Sequence, residues 1–150
     1  MPGPMRFSEH LVLAGFTYAF GISAVDISGN GVLDLVATDT LSDVGLYWLE
    51  NDGKGNFAKH LIDTSPDRPE REWLERHAIA DINGDGRPEI VSVDNINGSL
   101  LWFEYEGDPR GKASWSRHYI TEGGLPGAYD VAVADLDGDG DLDVAASSWI

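Results

Sequence analysis

The apolar residues of this chain fall into short runs, rich in β-branched and aromatic side chains and closed by Gly, Asn, Asp or Pro. Ile22 to Ile27, Ala78 to Ile82 and Val131 to Leu136 form one set of such runs. Leu35-Val-Ala, Ile90-Val-Ser-Val and Val144-Ala-Ala form a second. A third set pairs Leu46-Tyr-Trp-Leu-Glu50 with Leu100-Leu-Trp-Phe-Glu104. A fourth pairs Phe57 to Ile62 with Trp115 to Ile120, and Phe7-Ser-Glu-His-Leu-Val12 has the same pattern. Runs of this length and composition predict strands. One stretch near Pro69 to Arg76 has helical composition, but it is too short and lacks apolar periodicity.

These sets are copies of one unit. Asp26, Asp81 and Asp135 each open a similar loop, 55 and then 54 residues apart, and Trp48 and Trp102 are also 54 apart. One repeat is therefore four strands in about 54 residues. A lone four-stranded sheet cannot cover both of its faces, so such repeats stack. Four-stranded units of this size suit the radially packed blades of an all-β propeller. The predicted division is the outer strand of a preceding blade at 7–14, a blade at 15–64, a second at 65–121 and half a blade at 122–150. A propeller needs at least about four blades to close. Ring completion by further blades or by self-association is therefore expected.

The loops themselves follow one pattern of nine positions: Asp26-Ile-Ser-Gly-Asn-Gly-Val-Leu-Asp34, Asp81-Ile-Asn-Gly-Asp-Gly-Arg-Pro-Glu89 and Asp135-Leu-Asp-Gly-Asp-Gly-Asp-Leu-Asp143. Side-chain oxygens at positions 1, 3, 5 and 9 converge if the backbone coils tightly. Glycine at positions 4 and 6 permits the positive φ that such coiling needs. The candidate ligands are Asp26, Ser28, Asn30 and Asp34 in the first loop, and Asp81, Asn83, Asp85 and Glu89 in the second. In the third they are Asp135, Asp137, Asp139 and Asp143. The position-7 carbonyls of Val32, Arg87 and Asp141 add a further oxygen. Hard oxygen donors in this number suit Ca²⁺ at about 2.3–2.6 Å. An EF-hand is excluded, because position 12 is Ala37, Ser92 or Ala146 and the flanks are strands. By carboxylate count, the third loop is expected to bind most tightly and the first, with neutral Ser28 and Asn30, most weakly.

Charge supports this reading. The 150 residues carry 10 basic and 26 acidic side chains, a formal charge of −16, and ten of the acids lie in the three loops. Such a balance argues against nucleic-acid binding and against docking on an anionic membrane surface. No apolar run approaches the roughly 18 residues of a membrane span. There is no cysteine, which removes disulfides, thiolate metal sites and cysteine nucleophiles. The opening residues lack the basic-then-apolar layout of a signal peptide.

The D-x-D-G-D-G-x-x-D loop between two apolar strands resembles the FG-GAP/VCBS repeat of integrin α-subunit-type propellers and many bacterial extracellular proteins. The stretch from Trp48 to Phe57 also resembles the strand-turn-strand of VCBS repeats. The resemblance covers nearly the whole chain. It implies a ring of about seven blades, with calcium in the loop joining the first and second strands.

A working site is expected at the opposite end of the blades, in the unequal entry loops Leu13 to Phe20, Thr64 to Glu75 and Thr121 to Tyr129, since recognition concentrates in variable loops on a rigid scaffold. Tyr18 and the candidate ligand-binding residues Trp73, Glu75, Arg76, His77, Tyr129 and Asp130 supply aromatic and polar groups there. His77 stands out because its repeat equivalents are apolar, Ile22 and Val131. His10, His60 and His118 share one repeat position and are read as structural, as are Trp48 and Trp102, in blade-to-blade packing. No phosphate loop, Gly-x-Ser-x-Gly or HExxH motif is present. The expected function is a calcium-stabilised module, extracellular or periplasmic, that binds carbohydrate or protein. The alternative is a propeller enzyme acting on carbohydrate, of polysaccharide lyase or sugar dehydratase type. Arg76, His77 and Tyr129 would then be its acid/base groups, which requires them to converge on one pocket.

Overall fold

The computed structural model describes residues 4–41, 44–63 and 73–149. Its strands are β1 (Ala19–Val25), β2 (Asp34–Asp39), β3 (Gly45–Asn51), β4 (Phe57–Asp63), β5 (Leu74–Ala80), β6 (Glu89–Asp94), β7 (Ser99–Tyr105), β8 (Trp115–Thr121), β9 (Ala128–Ala134) and β10 (Asp143–Ser148), with one short 3-10 turn at Lys112–Ser114. They form two four-stranded antiparallel sheets in the order β1-β2-β3-β4 and β5-β6-β7-β8, and a two-stranded sheet of β9 and β10. Strand β5 lies against both β1 and β9. The first strands of successive sheets are thus neighbours, while β4 and β8 are outermost. This is the radial stacking of propeller blades in an open arc, as the repeat predicted.

Alternation along the strands explains why the sheets stack. In the second blade, Ile90, Leu101, Phe103 and Tyr105 face Val36, Leu46, Trp48 and Ile62 of the first. Their neighbours Val91, Val93 and Leu100 face the other way, onto Ala128 and Val131. Side chains on a strand point to alternate faces, and here both faces are apolar, so a blade needs a partner on each side. Trp48 is fully buried at the first seam, and Trp102 packs at the second.

Polar groups tie the first seam as well. The buried Tyr105 hydroxyl donates to the Ile27 carbonyl at 2.9 Å. Arg110 Nε reaches Glu50 Oε2 at 3.0 Å, and Arg117 Nε reaches Asp63 Oδ2 at 2.7 Å. The guanidinium beside Glu50 holds its carboxyl below the usual range, against the opposing effect of burial.

One element departs from the sequence reading. Phe7 to Val12 forms no strand, and Phe7 and Leu11 are exposed. Its analogues β4 and β8 are strands because they pair with β3 and β7; Phe7–Val12 pairs with no strand among the described residues. Slightly further on, Val12, Leu13 and Phe16 line an apolar groove on the first blade with Phe20, Ile22, Leu35 and Leu49. The candidate helix near Pro69 lies partly outside the described residues; its described end, Leu74 to Arg76, is strand.

Truncating an aromatic that fills a seam leaves a cavity. Trp48→Ala is expected to lower unfolding free energy by about 3–5 kcal/mol. Trp102→Ala should cost less, because Trp102 is only partly buried. Urea denaturation of the two variants measures the difference.

Candidate functional site

Each acidic loop joins the first two strands of a blade, and each coils around the carboxylates at positions 1 and 9. The position-1 carboxylate accepts backbone N–H groups from positions 5 and 6 in the first two loops: Asn30 and Gly31 on Asp26 at 3.1 and 2.7 Å, Asp85 and Gly86 on Asp81 at 3.0 and 2.9 Å. In the third, Asp135 accepts from Gly138 and Gly140 at 2.7 and 3.1 Å. The position-9 carboxylate reaches back to position 2: Asp34 to Ile27 at 3.2 Å, Glu89 to Ile82 at 2.8 Å, Asp143 to Leu136 at 2.9 Å. Every glycine at positions 4 and 6 has positive φ, from +70° at Gly29 to +99° at Gly140. Substituting any of these glycines would strain the coil.

This coiling gathers acids. Asp81, Asp85 and Glu89 each bring a carboxylate oxygen within 4.8 Å of the others, and so do Asp135, Asp137 and Asp143. The first loop has only two acids, Asp26 and Asp34. Asp139 stands outside the third cluster and accepts the Asp141 N–H at 2.9 Å. Burial pushes the Glu89 carboxyl above its ordinary range; the Ile82 and Asn83 N–H groups oppose this, while the Asp85 and Asp81 charges add to it. A site of hard oxygens with like charges close together favours a divalent cation of the Ca²⁺ type, so the donor sets of the second and third loops fit that ion.

The opposite ends of β1, β5 and β9 hold the entry residues, roughly four to eight residues or ~13–26 Å along the strand from the acidic loops. A one-residue bulge interrupts the inner strand at this end of both complete blades, between Ala19 and Ile22 and between Leu74 and His77. Bulges re-aim side chains. Arg76 turns to the following blade: Nη2 lies 3.2 Å from the Tyr129 hydroxyl, Nη1 3.4 Å from Asp130 Oδ2, and its guanidinium carbon 4.6 Å from the Tyr129 ring centre. His77 turns to the preceding blade, where a Cβ on Gly21 would come within 2.6 Å of its Nδ1. Both its ring nitrogens are buried. Burial pulls its pKa down to about 4, against the Val36 backbone.

Arg76, Tyr129 and Asp130 therefore meet at one seam and His77 lies at the other. The three acid/base candidates Arg76, His77 and Tyr129 do not share a pocket. Glu75 is buried with Oε2 unpartnered, and burial raises its pKa against the pull of Arg76. The indole N–H of Trp73 is also buried without an acceptor. The entry stretch from Thr64 to Glu72 lies outside the described residues.

Two repeated features carry the remaining side chains. His60 packs tilted against Trp48 and His118 stacks on Trp102, with ring centres 4.7 and 4.2 Å apart, and the two histidines bond Glu50 and Glu104 at 3.0 and 2.8 Å. His10 is exposed in irregular chain. The second feature went unread in the sequence. Buried Asp39 accepts the N–H groups of Thr17, Tyr18 and Leu41, and buried Asp94 accepts those of Trp73, Ile96 and Asn97. These two carboxylates pin the entry loops to the strand ends. Their signal was available: they are 55 residues apart, the spacing of the repeat.

The FG-GAP-like repeat model matches residues 26–92 and again residues 81–146, each match running from one acidic loop into the next blade. The chain belongs to the FG-GAP-like repeat family. No curated protein matches it. Membership accounts for a β-propeller-like module built on these loops. Among the described residues no helix is long and apolar enough to cross a membrane.

His77 supplies a test of the seam. Between pH 6.5 and about 4 the unfolded chain protonates this histidine while the folded chain does not. Stability should therefore fall as pH drops through that window, by at most about 1.4 kcal/mol per unit from this group. His77→Gln should remove that part of the slope in denaturant titrations at pH 7, 6 and 5. Equal slopes in both proteins would show that the ring is solvated.

Proposed function

We propose that this FG-GAP-like chain is a calcium-stabilised propeller module that binds carbohydrate or protein through the entry end of its inner strands. The observation that carries this reading is the division of the blade into two unlike ends. One end is a row of near-identical acid-rich coils. The other presents the half-exposed Arg76, Tyr129 and Asp130 across a seam between blades, beside loops of unequal length. Guanidinium, phenol and carboxylate together can donate, accept and stack, which suits sugar hydroxyls or a polar protein surface. With His77 buried at the other seam, this cluster lacks the histidine that the enzyme alternative counted among its acid/base groups. Asp81, Asp85 and Glu89, and Asp135, Asp137 and Asp143, would hold calcium, which screens their mutual repulsion and fixes the β-hairpins they close. Exposed loops of this kind fill at the calcium levels found outside cells, which favours an extracellular or periplasmic setting.

Ligands that bind only the folded state raise its melting temperature. Scanning calorimetry of the full-length protein should show a higher melting temperature in calcium than in chelator, and Asp137→Asn should shrink that difference more than Asn30→Ala. Identical melting in calcium and chelator would end the calcium reading. For the binding face, affinity electrophoresis against a panel of polysaccharides should show retardation that Arg76→Ala abolishes while the calcium-dependent melting is kept. Retention of binding by that variant would move the ligand site elsewhere.

A further inference from the structure

The second acidic loop contains a cation of its own. Arg87, at position 7, folds back on the position-5 carboxylate: its Nε lies 3.1 Å and its Nη2 2.5 Å from Asp85 Oδ2. The Arg87 backbone N–H takes the other oxygen, Oδ1, at 2.8 Å. One residue thus engages both oxygens of the acid that completes the Asp81, Asp85 and Glu89 cluster. The guanidinium is held from behind as well. Its Nη1 donates to the Tyr105 carbonyl at 2.8 Å, and its carbon sits 5.4 Å from the Tyr105 ring centre. Neither of the other loops has such a group, because position 7 is Val32 in the first and Asp141 in the third.

We propose that Arg87 is a tethered cation that stands in for a divalent ion in the second loop and must leave Asp85 before that loop takes calcium. This rests on the calcium reading of the loops given above. A carboxylate oxygen that accepts two guanidinium N–H groups is not free to coordinate metal, so ion binding is an exchange of Arg87 for Ca²⁺ at Asp85. Charge-assisted bonds of this kind are among the stronger surface contacts. Two consequences follow. Without metal, the second loop keeps a counter-charge that the third loop lacks. With metal, the second loop fills at higher calcium than the third. Arg87 therefore sets the affinity of its loop, although its side chain is not a ligand.

Calorimetric calcium titration of the full-length protein separates the terms. Asp137→Asn should remove the tighter binding event and identify it with the third loop. Arg87→Gln should tighten the weaker event several-fold. Lys112→Gln, an equal loss of charge on the 3-10 turn, should leave it unchanged, so that a general electrostatic effect is told apart from exchange at Asp85. In chelator, Arg87→Gln should melt below the wild type, and calcium should close the gap. An Arg87→Gln protein that melts and titrates like the wild type overturns the proposal while leaving the third loop's calcium intact. Equal tightening by Lys112→Gln overturns it too. If no variant takes up calcium, the calcium reading falls and the exchange falls with it.

Discussion

A sheet that is apolar on both faces has to be covered on both, and this requirement organises the whole chain. The second blade shows it most fully. Ile90 and Phe103 are buried on one side, Val91 and Val93 on the other, all at or near zero exposure. No single blade could fold as a stable unit with that pattern, because each face would leave a large apolar patch in water. Stability is therefore a property of seams. The polar groups obey the same logic. Tyr105, Arg110 and Arg117 of the second blade all find partners on the first, at Ile27, Glu50 and Asp63. The acidic loops belong to this economy as well: Ile27, at position 2 of the first loop, is buried in the seam while its carbonyl takes the Tyr105 hydroxyl. A loop that coils correctly thereby delivers a side chain to the core.

Most of the architecture was readable because repetition multiplies weak signals. A single Asp-Gly-Asp-Gly stretch is an ordinary turn; three, in register with three sets of strands, define a blade. Residue positions with a local cause were equally legible. The positive φ of Gly29, Gly31 and their equivalents follows from the loop pattern alone. What the sequence could not convey was direction across a seam. Arg76 and His77 are adjacent, and chain position suggested one shared site. Adjacent strand residues point to opposite faces, and these two turn to different blades; the bulge just before them resets which face each residue takes. His77 breaks the apolar pattern of Ile22 and Val131 for a steric reason: opposite it stands Gly21, whose missing side chain leaves room for an imidazole. Phe7 to Val12 failed for the converse reason. Its composition suits a strand, but a strand is made by an edge to pair with, and composition carries no information about that.

The three acidic loops are alike in backbone and unlike in charge. Their coil is specified by N–H groups on the carboxylates. The same bonds hold the carboxylates in place, so the coil keeps its acids closer together than free side chains would stay. What differs is how the residual repulsion is met. Neutral Ser28 and Asn30 reduce it in the first loop, Arg87 offsets it in the second, and the third, with five acids in nine residues, has no internal relief.

This variation is possible because the loop backbone and the loop charge are separable, and the separation extends to the blade as a whole. The inner strand is a rigid rod with a coil at one end and a bulge at the other. The coil end is constrained by the carboxylates at positions 1 and 9 and by the two glycines, and so its backbone recurs in all three loops. At the bulge end the constraint is narrower. Asp39 and Asp94 fix the loop backbones where they enter the strand, which leaves the residues beyond them free to differ. A scaffold that anchors the variable loops of its two complete blades through one buried carboxylate apiece can change its surface without disturbing its seams. Phe20, Glu75 and Tyr129, which occupy one repeat position at the bulge end, are chemically dissimilar, while Asp26, Asp81 and Asp135 at the coil end are the same residue.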